Sequence, residues 1–272
     1  MSSLSRSGAP TGDTRPVAFR GGGFAPVPRW YATLGAFVAL LAVWQAIGSL
    51  GLVSGLFLPT PLQIADALWY LLASGELVSH LEASLFRIGV GWVIGMAAGL
   101  AFGLVVGLFS VGRAIGIPIV SALFPIPKIA LLPLLILWLG IGESSKVATI
   151  ALGVFFPTVI SVYSGVDQVP RNLIRMAQSF GVPFLSIVWK VVLPGALGSI
   201  IAGFRISASI ALLLVVSAEM IGAERGIGAF VLQAGNLMQT DQLMAGVVVL
   251  SILGLAISKL IGWVERRWLA WR

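Results

Sequence analysis

The stretch from Asp167 to Arg205, DQVPRNLIRMAQSFGVPFLSIVWKVVLPGALGSIIAGFR, decides the reading of this chain, because it is a structured polar interruption in an otherwise apolar sequence. Leu173, Ile174 and Ala177, then Phe184, Ile187 and Val188, recur at helical spacing on either side of Gly181, and Pro183 and Pro194 punctuate the run. This pattern predicts two short amphipathic helices joined by a glycine turn. Such a segment lies outside a bilayer and reads as a docking element.

Working outward, hydrophobic residues make up 58% of the chain and charged ones 10%, against roughly 45–50% and about 25% in soluble domains, so the apolar excess must face lipid. The fold class expected is an all-α membrane protein. Runs near the length of about 20 residues that a hydrocarbon core demands occur at about 31–50, 86–109, 115–139, 147–165, 200–220 and 243–263. Six transmembrane helices are predicted. The third run carries Pro118, Pro125, Pro127 and Pro133, each removing a backbone donor, so it cannot be a straight rod. Residues 1–30 have no apolar core of signal-peptide type and are expected to form a disordered cytoplasmic tail. Residues 31–272 form the membrane domain, with the docking loop at about 166–195.

The net charge of +7 does not point to nucleic acid, since a basic nucleic-acid binder clusters its charge on one soluble face. Here the bases cap spans. In a six-span threading, Arg6, Arg15, Arg20, Arg29, Arg113, Arg171, Arg175, Lys190, Arg266, Arg267 and Arg272 all fall on one side. The opposite loops hold Lys146 and Arg225 and gather Asp66, Glu76, Glu82, Glu143, Glu224 and Asp241. Lys and Arg favour the cytoplasmic side, which places both termini and the docking loop there. On the other side, residues Leu58 to His80 read as a Leu-Pro-Thr-Pro turn and an interfacial amphipathic helix with Ile64, Leu68, Leu71 and Leu72 on its apolar face.

Gly91, Gly95, Gly99, Gly103 and Gly107 form a ladder at intervals of four, a spacing that lines one helix face with small residues and lets another helix approach closely. Charges in or beside the spans are Arg87, Lys128, Arg205, Glu219 and Lys259. Arg87 and Lys259 are close enough to span ends to snorkel. Lys128 and Arg205 are candidates for a translocation pathway or gate, or for structural pairing. Glu219 ends the fifth span ahead of a glycine-rich turn, as a polar end-cap or a pathway group. His80, the only histidine, reads as an interfacial anchor. Absent cysteine, a phosphate loop and a His-Glu-x-x-His motif, enzymatic readings have no residues to rest on.

The spacing of Ala177, Gly181, Leu193 and Pro194 resembles the EAA loop of ABC importer permeases: Glu-Ala-Ala, three residues, Gly, then an apolar stretch closed by Leu-Pro. Arg175 and Met176 stand where that pattern has Glu and Ala. LPTPLQIADALWYLLASGELVSHLEASLFRIGVGW, PKIALLPLLILWLGIGESSK, SAEMIGAERGIGAF and QTDQLMAGVVVLSILG, with the terminal ERRWLAWR, are similar to permeases of the aliphatic sulfonate, taurine and nitrate importer group. The resemblance implies a type I permease working as a homodimer by alternating access. Its partners would be two cytoplasmic ATPases, which hold the ATP and magnesium and receive the loop bearing Arg171 to Pro194, and an external substrate-binding protein. The chain itself would carry no cofactor. The cargo implied is a small organic anion, closest to aliphatic sulfonates, with taurine or nitrate and other oxyanions as the alternative. A secondary transporter would instead favour buried ionisable relays or inverted broken-helix repeats, and neither is evident.

Overall fold

The computed structural model describes residues 30 to 268. The expected tail, apart from Trp30, and the terminal Arg272 lie outside the described residues. The chain divides into two units, Met1–Trp44 and Gln45–Arg272. In the first begins α1 (Trp30–Ser49), an apolar helix whose 20 residues rise about 30 Å. The second unit holds α2 (Pro61–Ala73), α3 (Glu76–Leu108), α4 (Ser110–Leu123), α5 (Leu132–Leu139), α6 (Glu143–Asp167), α7 (Arg171–Ser179), α8 (Phe184–Ile187), α9 (Leu193–Gly222), α10 (Ile227–Asn236) and α11 (Thr240–Trp268).

The glycine ladder is the spine of this unit. Gly91 meets Ile150, Gly95 meets Val154, Gly99 meets Thr158, Gly103 meets Val162 and Gly107 meets Val166, so α3 and α6 run side by side in the same direction. A Cβ added at Gly95 would lie 2.4 Å from the Ala151 carbonyl oxygen. Only glycine permits that approach, and the close packing holds helices together where lipid offers no hydrophobic drive. Against α6, α9 runs the other way: Gly153 packs on Leu214, and Gly165 on Ser199. α11 opposes α9, with Gly254 on Leu212 and Gly262 beside Arg205.

Because α3 and α6 are parallel, the chain between them must return through the whole thickness of the bundle. It does so as a broken span: Ser110–Leu123 and Lys128–Leu139 meet at 86°, and Val120 packs on Phe156 and Val159 partway along α6. With that pair counted as one, the described residues hold six segments long and apolar enough to cross a membrane. The break is stabilised by Lys128, whose ammonium donates to the carbonyl oxygens of Leu123 (2.7 Å), Phe124 (3.1 Å) and Ile126 (2.7 Å) and stands 4.3 Å from the Phe156 ring centroid. Pro127 cannot supply the N–H that the Leu123 carbonyl would receive in a continuing helix, and the lysine takes that place.

Three sequence expectations are corrected by these elements. The second span starts at Glu76 rather than near residue 86, so Arg87 is more than two turns inside it. The interfacial helix ends at Ala73, capped by Thr60 and Gln63, and buries Ile64, Ala67 and Leu71 while Leu72 is exposed. The second helix of the docking loop is not separate. From Phe184 the chain passes through one π-helical segment, Val188–Val192, straight into α9, a continuous 39-residue rod to Gly222. Pro194 therefore sits at the first turn of α9, where its missing N–H is absorbed by the widened turn before it.

Candidate functional site

The parallel ladder defines two ends of the bundle, and each gathers functional residues. At the end where α3 and α6 begin, α9 stops and a turn leads into α10. Here Arg87, 3% exposed, lies between two carboxylates. Its Nε and Nη2 each donate to Glu143 at 2.6 Å, a two-pronged pairing, and its Nη1 donates to Glu219 Oε1 at 2.7 Å and to the Arg225 carbonyl.

Glu219, 1% exposed, has its remaining acceptors filled by Ser84 Oγ (2.8 and 3.0 Å) and the Gly228 N–H (2.9 Å). Ser84 in turn accepts from the Ile227 N–H at 2.9 Å. Such charge-assisted bonds offset the cost of burying the ions only when every group is satisfied, and among the described residues no buried side-chain nitrogen or oxygen lacks a partner. Lys146, also buried, donates to the carbonyls of Ile141 and Gly142. Two cations thus balance two carboxylates.

The Gly-Ile-Gly turn is shaped by Glu219. A Cβ at Gly226, whose φ is +134°, would fall 2.3 Å from the Glu219 carboxyl carbon, and one at Gly228 would fall 2.5 Å from the Val216 carbonyl oxygen. His80 completes the arrangement, its Nδ1 accepting from the Gly226 N–H at 3.0 Å and its ring resting on Phe230. Two expectations therefore change. Arg87 does not snorkel and His80 is not an interfacial anchor; both are buried structural ties. The sequence carried a signal for them: His80, Ser84, Arg87 and Gly91 share one helix face by their spacing of four, three and four, continuing the glycine stripe upward. Glu143, the half-exposed partner of Arg87, had no sequence signal beyond its sign.

The opposite end carries the docking loop. α7 closes on Phe180 with Gly181 next in the left-handed conformation, φ +69°. The Val182 N–H bonds the Ala177 carbonyl (3.1 Å) and the Gly181 N–H bonds that of Gln178 (2.9 Å). These two bonds and the glycine make a Schellman cap. Ala177 and Val182 pack together on the cluster of Val162, Val166, Ile187, Val192 and Ala196. The Ala, three residues, Gly spacing is therefore the chemistry of this helix end: a small residue that fits under the loop and a residue free to take positive φ.

Of the other loop residues, Leu193 packs on the same cluster. Arg171, Arg175 and Met176 are exposed, and Leu173, Met176 and Phe180 give α7 an apolar outward stripe. Arg205 lies away from both sets and pairs with Glu265 of α11, both partly exposed. The structure brings Glu219 into the buried clamp and gives Lys128 to the helix break, while the loop residues stay together. Among the described residues, no group of three His, Cys, Asp or Glu is placed to hold a metal.

Among the described residues, apolar helices sufficient for up to six crossings, a buried clamp at one end and an exposed amphipathic loop at the other describe an integral membrane protein. The family model for the binding-protein-dependent transport system inner membrane component matches residues 91–269, and the chain belongs to that family. It is 35% identical to a Bacillus subtilis (strain 168) protein named as an aliphatic sulfonates transport permease, SsuC, over 89% of this chain and 88% of the relative. To the taurine transport system permease protein TauC of Escherichia coli (strain K12) it is 36% identical, covering 88% of this chain and 89% of that one. The permease in the inward-facing MetNI methionine ABC transporter shares the fold, with TM-score 0.55 at 22% identity over 76% of this chain and 96% of that chain. The chain is accordingly an ABC transporter permease, and its relatives are translocation subunits.

Proposed function

We propose that this permease carries aliphatic sulfonates, taurine among them, into the cell, receiving them from an external binding protein and driven by two ATPase subunits that dock on residues 166–195. The observation that carries the cargo is similarity along nine-tenths of the chain to permeases named for sulfonates and taurine. Two copies of the chain form the path, and both termini and the docking loop face the cytoplasm. The segregation of Arg113, Arg171, Arg175, Lys190, Arg266 and Arg267 to the loop end supports that orientation.

The apolar stripe of Leu173, Met176 and Phe180 is the surface offered to the ATPase. Closure of the ATPases moves the loop, and the continuous rod from Phe184 to Gly222 carries that movement to the outer end. A sulfonate cannot shed its charge to cross, so its path needs donors without a deep well. Arg205, exposed on α9, has the charge for this role, whereas Glu219 is enclosed and Lys128 is committed to the helix break. Uptake into vesicles bearing the full complex, comparing ethanesulfonate, taurine, nitrate and a neutral solute of similar size, tests the reading. Sulfonates are expected to lead; preference for nitrate or for the neutral solute contradicts it.

A further inference from the structure

We propose that the loop end holds the headgroup of an anionic phospholipid from the cytoplasmic leaflet, bound by Arg113, Arg171 and Arg175; the inference rests on the orientation proposed above. These three residues line one pocket of about 460 Å³ where the corner between α3 and α4 meets α7 and α8. Arg171, Ile174 and Arg175 lie on a single face of α7, distinct from the Leu173, Met176, Phe180 stripe.

Three positive charges face one carboxylate there. Asp167 pairs with Arg113 at 2.8 Å and only loosely with Arg171 at 3.8 Å, and Arg175 makes no ion pair among the described residues. A phosphodiester suits this excess, since planar guanidinium forks match phosphate oxygens. The pocket also has an apolar wall, where the rings of Phe109 and Phe184 stand 5.9 Å apart. Glycerol and the first methylenes of an acyl chain fit such a wall, whereas a free phosphate has no use for it. Leu108 and Asp167, the last residues of α3 and α6, also line it, which puts the pocket at the end of the bundle that the proposed orientation gives to the cytoplasmic side. The anionic lipids of that leaflet attract basic side chains there. Arg175, which departs from the Glu of the EAA pattern, acquires a reason, because a carboxylate would face Asp167 and repel the phosphate.

The test uses the purified complex equilibrated with equal amounts of phosphatidylglycerol and phosphatidylcholine, with retained lipid read by native mass spectrometry. The parent should retain phosphatidylglycerol preferentially. Arg175→Gln should lower that preference about fivefold and Arg171→Gln/Arg175→Gln about thirtyfold, from about 1 kcal/mol per arginine, while Arg175→Lys keeps most of it. Equal retention of the two lipids by the parent, or an unchanged preference in the double variant, overturns the proposal. So does displacement of the lipid by soluble glycerol 3-phosphate, which would mark a free-phosphate site, or a preference shown by the permease alone and lost in the complex, which would give the arginines to the ATPase. The chain has no native cysteine, so labelling Gln178→Cys with an impermeant maleimide checks the orientation separately. Labelling from outside removes the orientation; labelling from inside without lipid preference removes only the lipid site.

Discussion

The two ends of the bundle treat charge in opposite ways. At the turn end, Arg87, Glu219 and Lys146 are withdrawn from solvent, and among the described residues no buried side-chain nitrogen or oxygen lacks a partner. At the loop end, Arg171 and Arg175 are exposed beside an apolar stripe that the chain leaves open. A buried ion network gives a fixed shape and is ruined by partial loss, whereas exposed cations and an amphipathic helix leave interaction capacity unspent. Under the proposed function, the clamp at the turn end is a structural tie within this chain, and the loop end is the surface offered to the ATPase.

The comparison breaks hardest at Arg87. Arg87→Gln leaves Glu219 charged, buried and short of its cation, and should cost about 3–5 kcal/mol, read as a lower melting temperature of the permease even without the ATPase. Adding Glu219→Gln should recover part of that loss; no recovery would mean the two residues are not coupled.

Next in size is the ladder. Gly95→Val places two methyls where a single Cβ already collides with the Ala151 carbonyl and Val154, for roughly 1–3 kcal/mol of strain. Gly89→Val on the same helix, with open space around its Cβ, should be far milder, and equal effects on melting would sink the account of α3 against α6.

Gly181→Val sharpens the other side. Its left-handed φ makes a branched side chain cost about 1–2 kcal/mol locally. Copurification of the ATPase should fall more than the melting temperature of the permease does. Wild-type copurification and uptake would remove the coupling role of the loop.

The smallest effect belongs to Arg205→Gln. Its pair with Glu265 is partly exposed, so stability should shift by less than about 1 kcal/mol. Sulfonate uptake should drop more than assembly; unchanged uptake would take Arg205 off the path.

Much of this was legible in the sequence for a physical reason: lipid imposes length and composition on spans, and small residues at intervals of four let another helix approach closely. The first helix of the loop and its turn were equally readable, since Ala177 and Gly181 meet the local demands of a helix end. The clamp was not, because Arg87 and Glu219 are 132 positions apart and a charge pattern does not say which carboxylate answers which cation. Pro194 misled for a related reason. Proline reads as a stop, yet after a π-helical turn it begins a helix that was already running.

Hydrogen exchange on the permease, alone and with its ATPase, tests the central claim most directly, since slow exchange reports bonds that open only on wide unfolding. The Ile227 and Gly228 amides, held by Ser84 and Glu219, should be strongly protected in both samples. Amides of residues 171–182 should be weakly protected alone and gain protection when the ATPase binds. Rapid exchange at Ile227 and Gly228 in the isolated permease, or no gain across the loop on ATPase binding, would contradict the division between a clamp closed within this chain and a loop offered to the ATPase.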